Sequence, residues 1–559
     1  MRRTRRVLIV PVIGVLLLLL GAPPGSADHG TRTITGPLVA LGDSEKLIPA
    51  DSAATHLGPN GLTMSDLAFW GNRAYQGGWH GFRIIDISNP NAPVEVLDYE
   101  DCGPNFTGQG DIVVWDRDNN GVADLLVWAT NSPATDPPGP DPPLARTCDG
   151  DAVADEFEGI QIFDISNDAD PDRIASVETP SGTHTLTAVP DLANNRLLIY
   201  SNSSASNGIE VIEIPIADPA SASILRREGA RGSCHDVSVF LGDVLRTICA
   251  GGNGTTVYSN DPADGGSLTN PIELYSFDDS RDGAQGIAHS AAFTWDGERF
   301  VIGHEPGGGA GANCATAKID RTLFYYDLDS GSLLGTYVLP EQTDTENCTT
   351  HNFNFIPALN GRDILVGGHY QAGTWIVDFT NPANIQTIAG ADPAPLDPNA
   401  LILGGAWSTY WYNGFAYESD ITKGLHIFDI NIPEAQPGGF RPETFSNPQT
   451  QMESIPEAQA TCKGKEATIV GTSGKDNLSG TSGNDVIAAL GGNDKVNAKG
   501  GRDIVCGGGG KDRLNGKGGN DKLFGQAAND RLNGGAGRDR CVGGGGNDKA
   551  TKCEKEKSL

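Results

Sequence analysis

Nine aspartates recur at an interval of nine residues: Asp476, Asp485, Asp494, Asp503, Asp512, Asp521, Asp530, Asp539 and Asp548. Carboxylates in fixed phase on a glycine-rich backbone suit calcium, a hard cation that takes six to eight oxygen ligands. A second oxygen-rich group lies in WDRDNNGVADLLV, with Asp116, Asp118 and Asn120 at alternate places, then the Val122 carbonyl and Asp124. Gly121 permits the sharp turn such a calcium loop needs, but the twelfth place, where an EF-hand carries Glu, is Val127. A polar hairpin turn would use the same residues. A third group is rich in nitrogen. His184, His235, His289 and His351 each open a strand pattern, and His80, His304 and His369 fall near the ends of following strands. Asp66 and Asp111 hold similar places, and Asp236 and Glu305 adjoin two of the histidines. Imidazoles on one rim suit zinc, copper or iron, and such a metal activates water or oxygen. Inner histidines that only hydrogen-bond neighbouring loops would look the same. The chain has no G-x-S-x-G, no H-E-x-x-H and no nucleophile with an evident base.

The elements that must position these residues are strands. A motif of Gly, alternating apolar residues and an acid recurs as GFRIIDISNP, GIQIFDISND, GIEVIEIPIA, GTWIVDFTNP and GLHIFDINIP, with weaker copies IELYSFDD and RTLFYYDLDS. The acid falls at Asp86, Asp164, Glu213, Asp327, Asp378 and Asp429, and the last four copies are evenly spaced. Each interval holds four alternating strands separated by turns such as TWDGE and PALNG. Four-stranded units repeated in this way predict a seven-bladed β-propeller whose innermost strands carry His184, His235, His289 and His351. The 471–551 stretch predicts a parallel β-roll, with a turn over the first six places of each unit and a short strand over the last three.

The motif strands resemble the LVIVD repeat family of β-propellers over residues 61–435, a resemblance that implies the fold and no common activity. The nonapeptides resemble the RTX, or hemolysin-type, calcium-binding repeat over 471–551. That resemblance implies stacks of five and four units, with each calcium shared between a unit and the next but one. The Asp116 loop is similar to the calcium cage of FG-GAP propeller repeats. The fold expected is therefore all-β, a seven-bladed propeller followed by a parallel β-roll.

Charge and export narrow the function. The chain of 559 residues carries a net charge of −31, which argues against a nucleic-acid partner. Residues 1–27 read as a secretory signal peptide, with four arginines, an apolar run from Val7 to Leu20 and small residues Gly25 and Ala27 before the expected cut. No other stretch is long and apolar enough for a membrane span, so the mature chain is not expected to be an integral membrane protein. Residues 28–60 form an N-terminal segment, 436–470 a linker and 552–559 a short tail. Export makes the ten cysteines candidates for disulfides. Cys234 and Cys249 sit symmetrically about Leu241–Gly242 and should face each other across a hairpin. Cys102 with Cys148 and Cys314 with Cys348 are paired by proximity, and Cys462–Cys506 and Cys541–Cys553 are expected in the tail. The leading expectation is a secreted calcium-binding protein without enzyme activity. Its propeller would present a surface to a protein, polysaccharide or small-molecule ligand. The alternatives are a secreted metal-dependent oxidoreductase or hydrolase using the histidine rim, and a cell-surface adhesion protein.

Overall fold

A computed structural model describes residues 33–45, 64–452 and 461–557, with gaps inside the last two ranges. The expected signal peptide, His80, Cys314 and most of the Pro-rich insert before Thr147 lie outside the described residues.

Seven antiparallel sheets form the blades. Their inner strands are Met64–Trp70, Ile112–Trp115, Thr185–Asp191, Asp236–Leu241, Ile287–Phe293, Phe353–Phe355 and Ala406–Tyr412, in blade order one to seven. The first three strands of a blade are buried on both faces, whereas the fourth is largely exposed or half-buried, as in Val94–Tyr99 of blade one. The acid of the recurring motif ends the third strand and holds an arginine near the second. Arg73 meets Asp86 at 2.6 Å, Arg196 meets Glu213 at 3.1 Å and Arg362 meets Asp378 at 2.6 Å. These half-exposed pairs add little stability each, but they fix the same corner in blade after blade.

The ring closes through the N-terminal segment. Leu38–Glu45 pairs antiparallel with Gly424–Ile430 and completes blade seven, and Thr33–Thr35 adds a fifth strand to blade six. The expected linker is in part a propeller element. Phe445–Ser446 pairs with the inner strand of blade one, and Thr450–Met452 runs parallel to that of blade four. Between them the chain crosses the channel. Asn447 exchanges two 3.0 Å bonds with the Val114 backbone, and Gln451 exchanges two 2.7 Å bonds with that of Phe293. Residues 445–452 thus join the inner strands of blades one, two, four and five. Their amide side chains do the work of a strand, satisfying backbone groups that the channel would otherwise leave buried and unpaired.

The C-terminal region is a parallel β-solenoid of two sheets. Each repeat strand pairs in register with one eighteen residues on, as Lys495 with Arg513, and the final pair, Arg540 with Lys555, is fifteen residues apart. Position eight points inward, so Ile487, Val496, Val505, Leu514, Leu523, Leu532 and Cys541 form one apolar row. Gly519 shows why the turns need glycine, because at φ 132° a Cβ would lie 1.5 Å from the Gly501 carbonyl oxygen. Ile469–Val470 and Lys555–Lys557 extend one sheet to six strands, beyond the nine repeats.

Cys102–Cys148, Cys234–Cys249, Cys462–Cys506 and Cys541–Cys553 are disulfides. Cys234 and Cys249 do not face each other across the hairpin, however. The turn centres on Asp243, which puts Val237 opposite Cys249 and leaves Cys234 two residues before the strand. Among the described residues no helix is long and apolar enough to cross a membrane.

Candidate metal centres

The nine aspartates stand in two stacks. Along each stack the Oδ1 of one Asp accepts the backbone N–H of the Asp eighteen residues earlier, at 2.8–3.0 Å, over seven rungs. The other oxygen is different. Oδ2 of Asp494, Asp503, Asp512, Asp521, Asp530, Asp539 and Asp548 is buried and has no hydrogen-bond partner. A buried carboxylate oxygen without a donor is expensive, and a row of them is more so. Burial, with the stacked acids adding to it, pushes Asp512 up to about 7 and Asp503 and Asp530 up to about 6. The donor set, anionic oxygens beside turn carbonyls, fits calcium. Glu554 lies off the nine-residue phase, yet its Oε2 accepts the Asp539 N–H as the next Asp would. Sequence spacing could not find it, because the link is fifteen residues long instead of eighteen.

The propeller loop is brought together only in part. Asp116 accepts N–H bonds from Asn120 at 3.2 Å and Gly121 at 2.6 Å, and Asn120 Oδ1 accepts Val122 N–H at 2.9 Å. Asp118 caps the same Asn120 N–H at 3.2 Å. Asp124 turns to Arg117, which it meets at 3.0 Å, and that guanidinium also reaches Asp164 at 2.7 Å. Arg117, unremarked in the spacing, therefore competes with any cation for the last acid of the set.

The histidines gather as an arc around the channel. His184, His235, His289 and His351 pack ring to ring, with centroids 4.5, 4.1 and 4.1 Å apart. Trp407 of blade seven continues the arc at 4.4 Å from His351. Burial lowers the basicity of all four and holds His184 at about 4 and His351 at about 3, so the imidazoles are neutral. His184 is engaged at Nδ1 by the Asn131 amide at 2.9 Å. His235, His289 and Glu305 place ligand atoms within 4.8 Å of one another. His304 instead packs against Phe324, and His369 is buried with no partner for either ring nitrogen. His289 sits in a β-bulge of the inner strand of blade five, and Trp407 in the matching bulge of blade seven. Bulges re-aim side chains, and nothing in the hydropathy pattern marks them.

Three carboxylates share the same channel. Asp66 accepts bonds from Tyr410 at 2.9 Å, Gln449 at 3.0 Å and Asn352 at 3.1 Å. Burial raises Asp66, Asp111 and Asp236, with Asp66 adding to the effect on the other two, and Asp236 reaches about 8. A second group, Glu418, Asp420 and His426 in blade seven, also brings possible ligand atoms within 4.8 Å.

Residues 470–505, 507–541 and 515–550 match the model of the RTX calcium-binding nonapeptide repeat. Residues 63–101 and 152–179 match that of the LVIVD repeat. The chain thus carries LVIVD repeats in a seven-bladed propeller and RTX repeats in the solenoid, and the RTX repeats identify calcium binding. No curated protein sequence matches the chain.

Proposed function

We propose that the chain is an exported calcium-binding protein. Its propeller serves as an interaction scaffold for a protein, polysaccharide or small-molecule ligand. Its roll is folded and stiffened by calcium. The observation that carries this reading is the row of seven buried, partnerless Oδ2 atoms in the roll. Asp476 to Asp548 would hold the ions, each shared between a unit and the next but one, and calcium would supply the positive charge the row lacks. Such binding is coupled to folding, so the roll would be loose where calcium is scarce and ordered outside the cell. The leader-like first 27 residues and the disulfides support export. In the propeller loop Asp116, Asp118, Asn120 and the Val122 carbonyl would give a weaker site, since Asp124 is held by Arg117.

The test is calcium stoichiometry of the full chain by equilibrium dialysis and calorimetry. Seven shared rungs predict seven tight sites. Replacing Asp494 and Asp512 together should lower that number, and an unchanged number would refute the roll assignment. Calcium-dependent attachment of the intact protein to cells or polysaccharide would select the adhesion form of the reading.

A further inference from the structure

The histidine arc belongs to the propeller strands, and the protons of its rings are fixed by their neighbours. His351 Nδ1 lies 2.5 Å from the Trp407 carbonyl, which only accepts, so Nδ1 carries the hydrogen and Nε2 is bare. Ser290 Oγ faces two acceptors, the His351 carbonyl and Asn352 Oδ1, and spends its one hydrogen on them. Asn352 is oriented by its amide N–H bond to Asp66 at 3.1 Å. His289 Nδ1, 2.5 Å from Ser290 Oγ, must therefore be the donor, which leaves its Nε2 bare too. Both bare nitrogens face one carboxylate. His289 Nε2 is 3.6 Å from Glu305 Oε2, and His351 Nε2 is 3.8 Å from Glu305 Oε1. His351 Nε2 and His235 Nδ1 have no hydrogen-bond partner. All four residues are at most 5% exposed. Lone pairs and a carboxylate aimed at one another in a buried site repel unless something positive lies between them.

We infer that this pocket holds a divalent transition ion of the zinc class, ligated by His235, His289 and Glu305, with His351 at the other carboxylate oxygen. Tetrahedral donors at about 2.0–2.2 Å from zinc stand about 3.4 Å apart, close to the 3.6 and 3.8 Å found here. Imidazole with carboxylate favours zinc, copper or iron over calcium. The outer partners are of the kind that orient metal ligands. The Tyr370 hydroxyl donates to Glu305 Oε1 at 2.5 Å, and Ser290 and the Trp407 carbonyl set the two ring orientations. Backbone irregularity concentrates at the same place. His289 is the bulged residue of its strand, and Tyr370 takes φ 45°, a left-handed value rare for a bulky side chain. A single proton shared with Glu305 satisfies one bare nitrogen and leaves the others, whereas one cation satisfies His235, His289 and Glu305 together. Held by buried side chains, the ion would tie blades four and five together, with blade six beside them, in the manner of a structural metal.

The full chain, unfolded and refolded with zinc in the presence of calcium and then desalted, should retain about one zinc per chain. Asp494→Asn with Asp512→Asn should leave that zinc in place. Glu305→Gln and His289→Gln should each lower zinc affinity at least about tenfold, the range found for loss of even a supporting contact. Cobalt(II) gives a second readout through the visible absorption of a four-coordinate ion, which Glu305→Gln should abolish. Melting of the propeller checks that each variant is folded, and the wild-type cobalt spectrum decides the matter if one is not. Wild-type protein that takes up neither zinc nor cobalt overturns the inference. So does one-to-one binding that survives both substitutions, or that disappears with the roll aspartates.

Discussion

Asp512, in the middle of its stack, has one oxygen that caps a neighbour and one that has no partner, so two substitutions separate their roles. Asp512→Asn keeps an Oδ1 for the Asp494 N–H, which it now accepts at 2.9 Å, and replaces the orphaned oxygen by an amide. Asp512→Ala removes both. With calcium at a hundredfold excess over its Kd, one site contributes about 2.7 kcal/mol. Asn should lose that much for each site it empties, a roughly hundredfold faster amide exchange. Ala should lose about 1–3 kcal/mol more, because a buried N–H is left unpaired. Without calcium the order changes. The Asp512 carboxyl is pushed up to about 7 by burial and by Asp530 and Asp494, so at pH 8 it is an unwelcome buried charge. Asn then leaves exchange unchanged or slower, while Ala still speeds it. The assay is hydrogen exchange by mass spectrometry on peptides spanning 486–530, with and without calcium. Asn loosening the calcium-free roll as much as the calcium-loaded one would refute the division of labour between the two oxygens.

Asp236 gives a pH dependence of opposite sense from that of a salt-bridged acid. Its carboxyl lies at about 8 in the fold against 3.8 ordinarily, so the folded state holds the proton and stability falls as pH rises through that window. The slope is about 1.4 kcal/mol per pH unit for one group, and Asp236→Asn should flatten chemical denaturation of the propeller between pH 6 and 8 by that amount. Gln451→Ala should cost about 2–4 kcal/mol by stranding the Phe293 N–H and carbonyl, read as a lower propeller melting temperature. Opening Cys462–Cys506, which closes a 44-residue separation, should cost the calcium-free roll about 4 kcal/mol by loop entropy; urea unfolding of Cys462→Ser with Cys506→Ser measures it.

What was legible in the chain was whatever repeats. The seven blades follow from the motif strands, and the roll from nine aspartates in phase. Four disulfides also match the expected pairs, because three join cysteines brought close by neighbouring strands or turns and the fourth spans few repeats. Features made by single events were not legible. The closing strand Leu38–Glu45 carries two charged residues and no motif, so its place beside Gly424–Ile430 is dictated by the ring being one strand short. Residues 445–452 are polar because they satisfy backbone groups inside a channel, and that composition reads as linker. The histidine places were visible as strand openings, but the bulge that aims His289 at Glu305 was not. Arg117, which draws Asp124 out of the loop set, was hidden by the assumption that acids in calcium-like spacing face inward.

The segment at 445–452 also has a mechanical meaning. Among the described residues it is the last propeller segment before the solenoid, with a strand lying along Asp236–Leu241 and amides tied to Val114 and Phe293. A load along such a strand shears its bonds together, whereas a load on an outer edge peels them one at a time. The propeller is therefore held by its hub. A pull from the calcium-bearing end would meet its resistance at the axis, spread over several blades, instead of unravelling the ring from its rim.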